Sequence, residues 1–206
     1  MSLLLAGEKR PRDWQSGKAK GFNAFDAKAE ALALLDAAGA PVANLQVFPN
    51  AGATWHPGRS ARLGLGPKTI VASFGELHPG LLRKLDAPEG AVAAEIYLDA
   101  IPEPRSTGRT RAAYAPPPLQ AVTRDFAFIV PADLPADNLV RAIRGADKVA
   151  ITGVRLFDRF EKGGELSLAF EVTLQPVEKS FTDEQIGEIS GRIVAAAEKL
   201  GARLRG

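Results

Sequence analysis

Two alternating runs in the second half of the chain constrain its fold more than any other feature. In Val122 to Val130, the apolar Phe126, Phe128 and Val130 alternate with Asp125, Ala127 and Ile129. In Ser167 to Leu174, Leu168, Phe170, Val172 and Leu174 alternate with Ser167, Ala169, Glu171 and Thr173. Successive side chains of a strand stand on opposite faces, so each run has one face for a core and one more polar face. Between them lie a short helical stretch and a third strand, Val154 to Phe160, closed by a glycine turn. A long helix from about Thr182 to Leu200 follows, then a short last strand, Ala202 to Arg205. The order β-α-β-β-α-β is the split βαβ, ferredoxin-like arrangement. Two helices cover one sheet face and leave the other open.

At 206 residues the chain has room for one large domain or two small ones. It has no cysteine, which excludes disulfides, thiolate metal sites and a cysteine nucleophile. His56 and His78 are its only histidines, too few for a histidine-rich metal site. No apolar run reaches the length of a membrane span and no signal-peptide pattern opens the chain, so no membrane partner and a cytoplasmic location are expected. The first 118 residues carry 14 basic and 11 acidic side chains, and the other 88 carry 12 and 13. Any contact of the second half with nucleic acid must therefore be local, because bulk charge does not favour it.

The first half reads as antiparallel sheet with one or two helices. Good helix formers run from Phe25 to Asp36 and stop before Gly39 and Pro41, with Phe25, Leu32 and Leu35 on the expected docking stripe. Strands are expected at Asn44 to Phe48, Ala61 to Leu65, Thr69 to Phe74 and Val92 to Leu98, with a further one around Trp14. Trp55 to Ser60 reads as a turn. Leu63 to Lys68 lacks the Gly-Lys-Ser/Thr ending of a phosphate loop and reads as a hairpin turn forced by Pro67. From Ile101 to Pro118, five prolines enclose Arg105, Arg109 and Arg111, an extended linker at which a domain boundary is expected.

The segments Phe25-Asp26-Ala27-Lys28, Trp55-His56-Pro57-Gly58-Arg59-Ser60-Ala61 and Phe74-Gly75-Glu76-Leu77-His78-Pro79 carry a family resemblance. So do Arg124-Asp125-Phe126-Ala127-Phe128, Leu156-Phe157-Asp158-Arg159-Phe160, Ser167-Leu168-Ala169-Phe170 and Thr182-Asp183-Glu184 with Glu188. In this order and spacing the chain resembles the C-terminal part of the bacterial phenylalanyl-tRNA synthetase beta chain. The resemblance implies an α+β protein in two pieces. Residues 1–115 would be an antiparallel-sheet remnant of a class II synthetase-like, non-catalytic core, with the linker at about 101–118. Residues 116–206 would be a ferredoxin-fold anticodon-binding domain. It further implies tRNA(Phe), the alpha chain and the remaining N-terminal part of the beta chain as partners. Phenylalanine activation would lie on the alpha chain. ATP and magnesium would serve the whole enzyme, with no cofactor, metal or catalytic residue in this piece, which alone should be inactive.

The same resemblance maps anticodon contacts to the open sheet face. Unpaired bases are read by stacking on aromatic rings and by hydrogen bonds to their edges. Phe160 would supply a ring, Asp158 and Ser167 a carboxylate and a hydroxyl, and Ala127 a small residue giving access. The family often has Tyr where Phe160 stands, and a basic residue where this chain has Leu166 just before the serine. Arg155, Arg159, Lys162 and Lys179 are candidates for phosphate. The blander alternative packs Phe160 against the linker or Leu156 and leaves the basic residues as solvated charges. His56 and His78, each in a tight turn, are expected to hydrogen-bond turn backbone. Arg59 is expected in a buried ion pair with Glu76 or Asp26. Two other classes of function stay open on fold alone: a small-molecule regulatory module, or a purely structural interaction domain with Phe160 buried and Asp158 paired.

Overall fold

The computed structural model describes residues 1–103 and 115–205. Pro104, Arg105, Arg109 and Arg111 of the expected linker lie outside the described residues. The chain divides into two compact units, Met1–Thr110 and Arg111–Gly206.

The first unit is built on five antiparallel strands in the order β1-β7-β6-β5-β4. They are β1 (Ser2–Leu5), β4 (Gln46–Pro49), β5 (Trp55–Gly64), β6 (Ile70–Leu77) and β7 (Val92–Ile96). A separate two-stranded ribbon pairs β2 (Glu8–Arg10) with β3 (Lys20–Gly21). Trp14 is therefore not in a strand. It sits in the tight turn where Asp13 and Gly17 bridge, because the polar Asp13 binds its own following backbone instead of a ladder.

Helix α1 (Ala24–Ala37) starts at a reciprocal cap: Asn23 Oδ1 accepts from the Phe25 amide at 2.8 Å, and Asp26 Oδ2 accepts from the Asn23 amide at 2.9 Å. It ends where Gly39 takes a positive φ of 83°. Its buried stripe is Ala27, Ala31 and Leu35, packed with Leu63, Val71, Ala72, Phe74, Val92 and Ile96. Phe25, expected on that stripe, is 79% exposed. At 100° per residue it falls far from the Ala27–Leu35 line, and small alanines let the helix lie close on the sheet.

Trp55 to Ser60 is also more than a turn. It belongs to β5, but between the pairs Trp55↔Leu77 and Ser60↔Gly75 the strand bulges outward at His56 to Arg59. Gly75 permits this. It has φ +136°, and a Cβ there would lie 2.4 Å from the Arg59 carbonyl oxygen. The expected hairpin turn at Leu65 to Thr69 joins β5 to β6, with Leu65 N donating to Thr69 O. Helix α2 (Pro79–Lys84) is short and capped by His78.

The second unit has four antiparallel strands in the order β11-β8-β10-β9. They are β8 (Val122–Val130), β9 (Ile151–Lys162), β10 (Glu165–Leu174) and β11 (Arg203–Leu204). Helices α3 (Ala136–Ala146) and α4 (Asp183–Glu198) connect them as the split βαβ pattern requires. Phe126, Phe128, Val130, Leu168, Phe170, Val172 and Leu174 meet Leu139 and Ile143 of α3 and Ile189, Ile193 and Ala197 of α4. Phe128 and Phe170 are fully buried, with ring centroids 6.3 Å apart. Thr182 caps α4 in a reciprocal box with Gln185. Asp147 fastens the end of α3: Oδ1 accepts from the Val149 and Ala150 amides, and Oδ2 pairs with Arg192 of α4 at 2.6 Å.

Candidate nucleic-acid interface

The register of the open face is fixed by the turn between β9 and β10. Lys162 pairs with Glu165 across a two-residue loop, Gly163-Gly164, with φ of 62° and 83°. Two positive φ angles make the hairpin turn whose twist matches the strands, and glycine adopts them without strain. From that turn, Ser167 falls opposite Phe160 and Ala169 opposite Asp158. On the other side of β10, Ser167 faces Ile129 and Ala169 faces Ala127. Ala127, Asp158, Phe160 and Ser167 thus share one face, the face away from the helices.

The ladder then breaks its alternation. Ala169 pairs with Asp158 but the next residue, Phe170, pairs with Leu156, so Phe157 is an extra, bulged residue. The bulge exchanges faces for the residues before it, back to Gly153, where a second shift at Thr152 restores them. Leu156 goes to the helix side opposite Phe170, so it cannot pack against Phe160. Arg155 goes to the open face opposite Glu171. Arg159 lies beyond the bulge opposite Leu168 and therefore on the helix side, apart from the other candidates.

Neither of these arginines is a free cation. Arg155 Nε contacts Glu171 Oε1 at 3.1 Å and its guanidinium lies over the Phe157 ring. The hydrogen bond and charge of Glu171, aided by Asp125, raise the Arg155 pKa further. Arg159 pairs with Glu161 at 2.8 Å. The free end of the face is elsewhere. A hollow of about 150 Å³ is lined by Ile129, Phe160, Lys162, Glu165, Ser167 and Arg205. The Arg205 guanidinium carbon stands 5.8 Å from the centre of the Phe160 ring. Glu165 on its rim is paired with Arg203 at 2.8 Å.

Phe160 is 47% exposed, whereas Ser167 is 7% exposed on the floor beside it. Asp158 is exposed, and among the described residues it has no ion-pair partner. The face is therefore polarised. Lys162 and Arg205 place positive charge around the hollow, while Asp158, Asp125 and the Arg155–Glu171 pair occupy the other end. The face thus combines an exposed ring, a hydroxyl, a carboxylate and cations, the kinds of group that can stack an unpaired base, bond its edge and meet phosphate.

Sequence reading missed Arg205. Alternation along the last strand puts Arg203 and Arg205 on one side of Leu204, but only the pairing of β11 with β8 brings that side over the hollow. Arg205 N donates to Ala127 O at 2.8 Å, which anchors the residue on the sheet.

The candidate residues of the first unit are occupied within it. His56 Nδ1 accepts from the Gly58 amide at 3.1 Å and His78 Nδ1 from the Gly80 amide at 3.0 Å, so both hold turn backbone as expected. Arg59 pairs with Glu76 at 3.1 Å and touches His56 Nε2 at 2.8 Å. That pair is not buried, since the Arg59 side chain is 58% exposed on its bulge. Asp26 binds Lys9 instead. Among the described residues no three histidine or carboxylate groups converge as a metal would require.

The topology of the second unit defines a ferredoxin-like domain whose open sheet face carries an exposed aromatic ring. A family model described as the ferredoxin-fold anticodon binding domain matches residues 117–205. A second, described as the phenylalanyl tRNA synthetase beta chain CLM domain, matches residues 1–98. The chain is 54% identical over its whole length to a protein of Novosphingobium aromaticivorans named phenylalanine–tRNA ligase beta subunit. It is 52% identical, again over its whole length, to the protein of that name from Zymomonas mobilis. To that of Rhodospirillum rubrum it is 45% identical over 98% of the chain. The chain belongs to the phenylalanyl-tRNA synthetase beta-chain family. It spans about a quarter of the length of these relatives, 26% in each case.

Proposed function

We propose that the open face of the second unit reads the anticodon bases of tRNA(Phe) for a phenylalanine–tRNA ligase whose chemistry lies on another chain. One observation carries this reading. A large aromatic ring, Phe160, stands half-exposed on a polar sheet face beside Arg205, Ser167 and Asp158. Burying such a ring under a base recovers the free energy its exposure costs. In this reading Phe160 stacks, Arg205 covers the stacked base or meets its phosphate, and Asp158 and Ser167 bond base edges. Ala127 leaves room above β8. Arg155 and Arg159 contribute less, because their charges are spent on Glu171 and Glu161.

The first unit then serves as a packing body for the remaining beta chain and for the alpha chain. This piece alone forms no aminoacyl-adenylate, and ATP and magnesium act elsewhere in the enzyme. The working location is the cytoplasm, consistent with the absence of any helix long and apolar enough to cross a membrane among the described residues.

The test is fluorescence anisotropy of a labelled tRNA(Phe) anticodon stem-loop titrated with this chain at two salt concentrations. Salt-weakened binding that prefers the cognate loop and drops for the Asp158→Ala, Phe160→Ala variant supports the proposal. Equal binding to a loop with a changed anticodon reduces it to backbone attraction. Unchanged binding by the double variant removes the platform from the account, and a small molecule that dimerises the chain while RNA does not bind favours the regulatory alternative.

A further inference from the structure

The ribbon of the first unit carries a feature that the anticodon-reading face does not use. Trp14 at its tip is 90% exposed, whereas Trp55, the only other tryptophan, is 4% exposed. A tryptophan so exposed keeps its whole apolar surface in water. Its turn is nevertheless fully braced. Asp13 accepts from the Gln15 amide at 2.8 Å, the Ser16 amide at 2.7 Å and the Ser16 hydroxyl, while Asp13 and Gly17 exchange backbone bonds. These bonds hold the Asp13 carboxyl below the usual carboxylate range, the Ser16 hydroxyl foremost. Arg10 closes the turn from the side onto the Ser16 carbonyl at 3.2 Å, and Lys9 ties the ribbon to Asp26 at the start of α1.

The chemistry around Trp14 selects its partner. The tip hollow is lined by Arg12, Asp13, Trp14, Gly17 and Lys18, with no second apolar side chain among the described residues. From Glu8 to Gly21 the ribbon carries Lys9, Arg10, Arg12, Lys18 and Lys20 against Glu8 and Asp13. The centre of a protein–protein contact is apolar and poor in lysine. One aromatic plane among cations is instead the pattern that stacks an unpaired base and meets its phosphates. We infer that this tip is a second RNA-binding element, stacking Trp14 on an unpaired base while Arg12 and Lys18 contact the flanking phosphates. It is independent of the sheet platform, and neither family match assigns it.

The two tryptophans make the test direct. In the full chain carrying Asp158→Ala and Phe160→Ala, Trp14 emission is titrated with a short unstructured oligouridylate, with duplex RNA as the control. The expected result is saturable quenching by the single strand, weakened by salt and much smaller with the duplex. Trp14→Ala in that background should weaken binding of labelled oligouridylate about tenfold, the value of one stacked base. Arg12→Ala with Lys18→Ala should lower the salt slope by about 1.4, at about 0.7 per phosphate contact on a single strand. Undiminished affinity of Trp14→Ala, or Trp14 emission blind to RNA, overturns the inference. So does a change of Trp14 emission on adding purified alpha chain but none on adding RNA, which assigns the tip to a protein contact. Because the sheet platform is disabled throughout, the outcome is separate from that of the anticodon reading.

Discussion

The two bulged strands solve the same geometric problem to opposite ends. In β5 the bulge from His56 to Arg59 turns its polar groups on each other: histidine to backbone amide, arginine to Glu76 and His56. In β9 the bulge at Phe157 satisfies Arg155 through Glu171 but leaves Phe160 half-exposed and, among the described residues, Asp158 unpaired on a continuous sheet face. A polar or aromatic group already satisfied by its own fold has little to offer a ligand. One left open is available at no cost of breaking a native contact. His56 and Arg59 of the first bulge therefore mark architecture, and Phe160 and Asp158 beside the second are the groups that the proposed reading gives to RNA.

The comparison breaks most visibly in the core beneath the platform. Phe128→Ala should cost about 4 kcal/mol, the range for a fully buried phenylalanine, read by urea denaturation, and RNA binding should fail with the fold. Phe160→Ala, by contrast, should leave the urea midpoint nearly unchanged yet weaken stem-loop binding by about 2 kcal/mol, the worth of a stacked base. A large midpoint shift for Phe160→Ala would make that residue structural after all.

Asp147 sharpens the stability side of the contrast. Its carboxyl is held below the usual range chiefly by the Ala150 amide, then by the Val149 amide and Arg192. Because the folded value is depressed, its contribution is complete above the unfolded value near pH 4 and disappears as pH falls through the folded value. Asp147→Asn should cost about 1.5 kcal/mol at neutral pH, the worth of charge-assisted hydrogen bonds. The gap between variant and parent should close towards pH 2, and a pH-independent gap would refute the assignment to charge. The smallest effect belongs to Arg59→Ala. Its exposed pair with Glu76 should be worth about 0.5 kcal/mol, with no change in RNA affinity, measurable by a double-mutant cycle with Glu76→Ala.

Much of this was written in local pattern. Alternation at Phe126–Val130 and Leu168–Leu174 identified the strands and the buried face. The run of helix formers from Phe25 and the Thr182 signal located the two helices, and the two glycines at 163 and 164 marked the hairpin that sets Phe160 opposite Ser167. Alternation, helical caps and tight turns depend on a few neighbouring residues, so a sequence displays them directly. Only the tertiary structure decided that Phe157 is an extra residue, which moves Arg155 to the open face and Leu156 away from Phe160. It alone laid β11 beside β8 and so brought Arg205 over the Phe160 ring, and it alone left Phe25 and Trp14 in solvent. A bulge exists only relative to a partner strand, and exposure only relative to everything that fails to pack nearby. Both are set by contacts between distant residues, which no local period records.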